Sequence, residues 1–183
     1  MFSLLKTACK NQLNNSGGSL SKKTIAAFFA IGMMTAALSA AETQVYNANF
    51  KTQSVAWSKK ADAMKVTRDA ALVVDVVGQS QSIQIGTNVP AGLEAGNYRL
   101  DCTITLSQAA KTRVYLIRNA PKWNWIAGKT VDFKAGTATN VSIPFTLKEK
   151  ADYPIRAAGM EIAHLPAGTK VTISNVKIFR ITP

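Results

Sequence analysis

From Gln44 onward, apolar and polar residues change places at every second position, the rhythm of a strand whose two faces meet different surroundings. Tyr98, Leu100, Cys102, Ile104 and Leu106 alternate with Arg99, Asp101, Thr103 and Thr105. Val141, Ile143, Phe145 and Leu147 alternate with Ser142, Pro144 and Thr146. Val171 and Ile173 keep the same beat, which slips by one at Ser174-Asn175 before Val176 and Ile178. A slip of one residue inside a strand predicts a β-bulge. Turn formers such as Pro90-Ala91-Gly92, Ala135-Gly136-Thr137 and Pro166-Ala167-Gly168 separate the runs. The pattern predicts ten strands, at 44–50, 63–67, 70–77, 82–85, 97–106, 112–118, 130–133, 140–147, 157–164 and 170–181. No stretch of ten residues beyond position 44 carries a helical period. Short strands joined by turns predict an all-β fold, a two-sheet β-sandwich of the jelly-roll type.

The first 41 residues break this pattern. They hold Lys6, Lys10, Lys22 and Lys23 and no acid, then an uncharged run from Thr24 to Ala41 that ends in small residues. A basic head, an apolar middle and a small-residue exit describe a helical signal peptide, cut after Ala41 or after Ala40. The reading assigns 1–41 to the signal and 42–183 to the sandwich, and it implies a secreted, periplasmic or cell-surface protein with no stable membrane span after cleavage. A retained anchor is the alternative, because the 18-residue run is near the shortest that spans a bilayer.

Export alters the chemistry that remains. The chain has 22 basic and 10 acidic residues, and losing four lysines leaves 18 against 10, a net charge of about +8. Cys9 goes with the signal and Cys102 stays alone, so an internal disulfide and a Cys-based metal site are both excluded. Cys102 is expected as a small buried hydrophobe. His164 is the single histidine, so no site can use two imidazoles; it is expected at a strand edge in a structural role. With 47% hydrophobic and 17% charged residues, the chain can build a core. Hydrolysis of a sugar bond needs two carboxyl groups facing each other across the substrate. Only Asp101 and Glu161 fall in mid-strand on the polar side, and nothing marks a nucleophile elbow, so the protein is not expected to be an enzyme.

Four segments carry a likeness. Asn47-Ala48-Asn49-Phe50 with Trp57 behind it, the Gly96-Asn97-Tyr98 opening of a strand, Pro144-Phe145-Thr146, and the closing Gly168-Thr169 through Ile173-Ser174-Asn175-Val176 stand in that order. In this the chain resembles carbohydrate-binding modules of the family 4/9 type, galactose-binding-like jelly rolls. The resemblance implies a sugar held either across the concave sheet face or at the loop end of the sandwich, and it places Trp57 in the core. It also implies a structural calcium held by carboxylates at two positions that here carry Lys51 and Ser174. An ammonium in place of a carboxylate repels a hard cation, so that site is expected to be absent or much weakened, and no cofactor is expected.

Sugars present flat C–H faces ringed by hydroxyls, which aromatic faces and planar polar side chains complement. Trp123 and Trp125 stand two apart in a segment between predicted strands, so in an extended chain both rings point one way. The polar sides of the strands add Gln84, Arg99, Asp101, Thr103, Arg113, Tyr115 and Glu161 as candidate ligand-binding residues. The expected function is an exported, non-catalytic carbohydrate-binding domain. A structural or adhesive envelope protein that contacts other proteins, or a component of a glycoside hydrolase, are the alternatives. The positive charge permits an anionic polysaccharide as partner, while nucleic acid is not expected, since no fingerprint for it is present.

Overall fold

The computed structural model describes residues 40–118, 122–162 and 165–183. The signal-peptide reading, apart from its last two residues, and the reading of His164 fall outside the described residues. Among the described residues, no helix is long and apolar enough to cross a membrane.

The described chain is an all-β jelly-roll sandwich. Its elements are β1 (Ala41–Asn47), the single-turn α1 (Phe50–Gln53), β2 (Ser54–Trp57), β3 (Met64–Arg68), β4 (Leu72–Val76), β5 (Gln84–Val89), β6 (Gly96–Leu106), β7 (Ala110–Arg118), β8 (Asn124–Phe133), β9 (Thr139–Leu147), β10 (Ile155–Glu161) and β11 (Lys170–Thr182). A six-stranded sheet runs β3-β4-β11-β6-β9, with β1 also paired to β11, and a five-stranded sheet runs β2-β5-β10-β7-β8. The paired strands are antiparallel throughout.

The alternation read from the sequence is the alternation of burial. Tyr98, Leu100, Cys102, Ile104 and Leu106 of β6 face inward, together with Val141, Ile143 and Phe145 of β9 and Leu72, Val74 and Val76 of β4. The other sheet contributes Ile83, Ile85, Val89, Val114, Leu116, Ile155 and Met160. Two sheets packed face to face stand about 10 Å apart, and each such side chain stabilises the fold by roughly 1.5–3 kcal/mol. Tyr98 and Phe145 stack in the core at 5.3 Å between ring centres.

Three local differences from the expected strands stand out: β8 begins at Asn124 rather than at 130, so Trp125 lies in a strand and not between strands, and the other two have plain causes. Strand β1 stops at Asn47 because Asn49 caps α1, its side-chain oxygen accepting from the Lys51 amide at 3.1 Å. Strand β2 was not expected; it is only four residues long and has no alternation of its own to show it. The bulge expected at Ser174-Asn175 is present: the β11–β6 register shifts between Ser174 and Lys177, with Asn175 at φ 53°. Two further bulges break β10 and β8, and both shape the face described next.

Candidate functional site

The outer face of the five-stranded sheet is built in rows across its strands. One row runs Asn88, Arg156, Ile117, Trp125 from β5 through β10 and β7 to β8. A second holds Gly159, Tyr115 and Gly128, and a third pairs Trp57 with Gln84 and Gln84 with Glu161. Directly paired residues in antiparallel strands project to the same face, so these side chains share one surface. Trp57 marks the β2 flank, Trp123 and Trp125 the β8 flank, and Tyr115 lies between them.

Each bulge serves this arrangement. In β10 two residues, Ala157 and Ala158, separate Arg156 from Gly159, and Ala158 takes φ 48°. In a regular strand residues three apart would face opposite ways; the bulge absorbs one residue, so Arg156, Gly159 and Glu161 all face outward. In β8 the extra residue is Ile126, since Ala127 pairs Leu116 while Trp125 pairs Ile117. Trp125 and Gly128 therefore share the outer face, and the indole folds back over the glycine. A Cβ on Gly128 would stand 2.5 Å from Trp125 Cζ2, and one on Gly159 would stand 2.7 Å from Tyr115 Cδ2. The glycines let both rings lie against the sheet.

The rings and cations interlock. Trp125 meets Tyr115 at 5.8 Å between centres, with the planes tilted by 37°. Arg113 Cζ stands 5.4 Å from the Trp125 ring centre and Arg156 Cζ 5.2 Å from that of Trp123. Arg156 Nη1 donates to Gln84 Oε1 at 2.8 Å. Burial pushes the Tyr115 hydroxyl above its ordinary value, and the neighbouring Arg156 opposes that shift. Burial holds the Arg156 guanidinium below its own usual value. The three tryptophans stay open, with 47% of Trp57, 61% of Trp123 and 54% of Trp125 exposed.

Six of the nine candidate residues from the sequence meet on this face: Trp123, Trp125, Tyr115, Arg113, Gln84 and Glu161. Arg99 and Asp101 do not, because β6 belongs to the other sheet and carries them, with Thr103, on its far outer surface. There Arg99 pairs with Asp101 at 3.0 Å and with Glu42, and lies over Phe179. The polar strand-face candidates are thus divided between the two outer surfaces of the sandwich. Asp101 and Glu161 stand on opposite outer faces of the sandwich, so they cannot flank one glycosidic bond. Trp57 is corrected: it lies on the outer face opposite Gln84, not in the core. Arg156 was missed because a count of alternate positions back from Glu161 points it inward, and the bulge reverses that parity.

Lys51, one of the two positions at which the resemblance implies a calcium ligand, lines a groove of about 430 Å³ with Asn47, Asn49, Phe50, Asp69 and Asn175. Its one carboxylate, Asp69, holds Lys51 Nζ at 3.0 Å. A single carboxylate already neutralised by an ammonium does not fit a hard divalent cation.

Solved structures share this fold. They include a CBM4 module (TM-score 0.53, 17% identity, 69% of this chain and 93% of that one). The N-terminal cellulose-binding domain of Cellulomonas fimi β-1,4-glucanase C matches at TM-score 0.51 and 18% identity, over 69% and 87% of the two chains. The apo CBM1 of BiXyn10A matches at 0.51 and 15%, over 73% and 95%. At these identities the likeness is one of fold. No family model and no curated protein sequence matches the chain.

Proposed function

We propose that the chain is an exported, non-catalytic carbohydrate-binding protein whose glycan lies across the outer face of the five-stranded sheet. The observation that carries this reading is the gathering of Trp57, Trp123, Trp125 and Tyr115 on one face around Gln84, Arg113, Arg156 and Glu161. Exposed indoles offer apolar area to the C–H faces of sugar rings at little conformational cost, since each has only two side-chain torsions to fix. The amide, guanidinium and carboxylate groups between them supply directional bonds to hydroxyls. Aromatic groups on opposite flanks suit a chain of several sugar units more than a single ring. The other large exposed apolar residues, Val45, Val77 and Tyr153, sit singly on β1, after β4 and before β10, which favours a glycan over a broad protein contact. The fold of the compared modules and the leader-like composition of residues 1–41 support a binding role outside the cytoplasm.

The test is retention on a polysaccharide panel by affinity electrophoresis. The protein is expected to bind at least one glycan. Trp57→Ala and Trp125→Ala are each expected to weaken that binding by about tenfold, the loss of roughly 1.4 kcal/mol of stacking. Because both rings are half exposed, thermal stability should change little. If no glycan is retained, or if both variants bind as well as the parent, the reading is wrong.

A further inference from the structure

Arg156 is anomalous. It is 8% exposed, sits in the middle of the aromatic face, and no carboxylate lies within 4.0 Å of it among the described residues. Every Asp and Glu of the chain is among those residues, because positions 1–39, 119–121 and 163–164 contain none. The guanidinium donates through Nη1 to the neutral Gln84 oxygen, while its buried Nε has no partner. Buried arginines are normally paired, and an unmet charged donor is destabilising by more than the 1–3 kcal/mol typical of a neutral one. Arg113, the next cation on this face, stands against Trp125 and is likewise in no ion pair among the described residues. Lys111 at the edge is matched by Asp132 at 3.8 Å. The face therefore carries two guanidinium groups in no ion pair and one carboxylate in none, Glu161, which stands directly across from Gln84, the residue that Arg156 Nη1 contacts.

Resting on the glycan reading of this same face, we infer that its ligand is acidic, a uronate-containing polysaccharide whose carboxylate pairs with Arg156. A planar carboxylate fits the guanidinium edge that includes Nε, through two parallel hydrogen bonds that an ammonium could not offer. The ring over Arg156 is Trp123, the most exposed indole of the three, which swings aside by side-chain rotation to admit the carboxylate and stacks on the neighbouring sugar. Arg113 receives a second acidic unit along the chain. Gln84 and Tyr115 hold Arg156 in place; their role is positioning.

The test compares each polymer with its uncharged twin, polygalacturonate and alginate against their fully methyl-esterified forms, by affinity electrophoresis at low and moderate salt. The full-length protein is expected to bind at least one acid form about tenfold or more tightly than its ester, with the gap narrowing as salt rises. Arg156→Gln is expected to remove the preference for acid over ester, and Arg156→Lys to remove most of it. Lys65→Gln, on β3 of the other sheet, removes one positive charge elsewhere and should leave the preference intact. Equal binding of acid and ester by the unaltered protein overturns the inference, and needs no variant to fold. Persistence of the preference in Arg156→Gln, or its loss in Lys65→Gln, overturns the assignment to Arg156. Binding only to neutral glycans sinks this inference alone, whereas binding to no glycan of either kind removes the glycan reading with it.

Discussion

Cys102 shows how far one side chain can report on the whole. It is a free thiol inside β6, and burial pushes its pKa from 9.0 up to about 12. A group whose folded pKa is raised stabilises the fold fully below its unfolded value and loses that contribution as pH rises through the folded one. Between pH 9 and 12, Cys102 should therefore cost the protein about 1.4 kcal/mol of stability per pH unit. Urea unfolding at pH 8 to 11 should show this decline in the parent and a shallower one in Cys102→Val; parallel curves would refute it. At the same scale, Trp57 and Arg156 are the residues that composition misjudges. A lone tryptophan suggests core, and an arginine between Ile155 and Ala157 suggests a surface loop. The structure exposes the first because Trp57 follows the outward parity of β2, and it buries the second although Arg156 faces outward, because Trp123 and Gln84 lie against its guanidinium.

Among the elements, β8 and β10 do most to form the binding face, and both do so through bulges. Their glycines give a contrast that separates folding from binding. Tyr115 is buried and cannot move away from a Cβ placed on Gly159, so Gly159→Ala should destabilise the protein by roughly 1–3 kcal/mol. Trp125 is half exposed and can swing outward from a Cβ on Gly128. Gly128→Ala, which also brings its Cβ to 3.1 Å from the Val114 carbonyl oxygen, should therefore cost less stability than Gly159→Ala but weaken glycan binding severalfold, because the ring no longer lies against the sheet. Chemical unfolding and affinity electrophoresis on the two variants read the two effects separately; equal loss of stability in both would contradict the argument. The bulge in β11 was legible from the phase slip at Ser174-Asn175, whereas those in β8 and β10 were not. Ile126-Ala127 and Ala157-Ala158 are apolar pairs in which the alternation shows no slip, and Arg156, the polar residue out of phase with Glu161, lies just outside the strand expected at 157–164.

For the molecule as a whole, stability rests on the packed sandwich, and Lys51 and Asp69 are joined near a position where the resemblance implies a calcium ligand. Melting in calcium and in chelator should accordingly agree within about 1 °C, since a ligand raises the melting point only by binding the native state; a rise of several degrees in calcium would contradict this. The sequence by itself determined the all-β class, most strand positions and most of the inward-facing residues. All of these follow from one local fact, period-two alternation. It also supplied most of the aromatic and polar side chains of the candidate face. Only the tertiary structure decided which of them share a surface. Alternation separates the inside of a strand from its outside, but a sandwich has two outsides. The long-range pairing of β6 with β11 and of β7 with β8 and β10 sent Arg99 and Asp101 to one and Tyr115, Arg113 and Arg156 to the other.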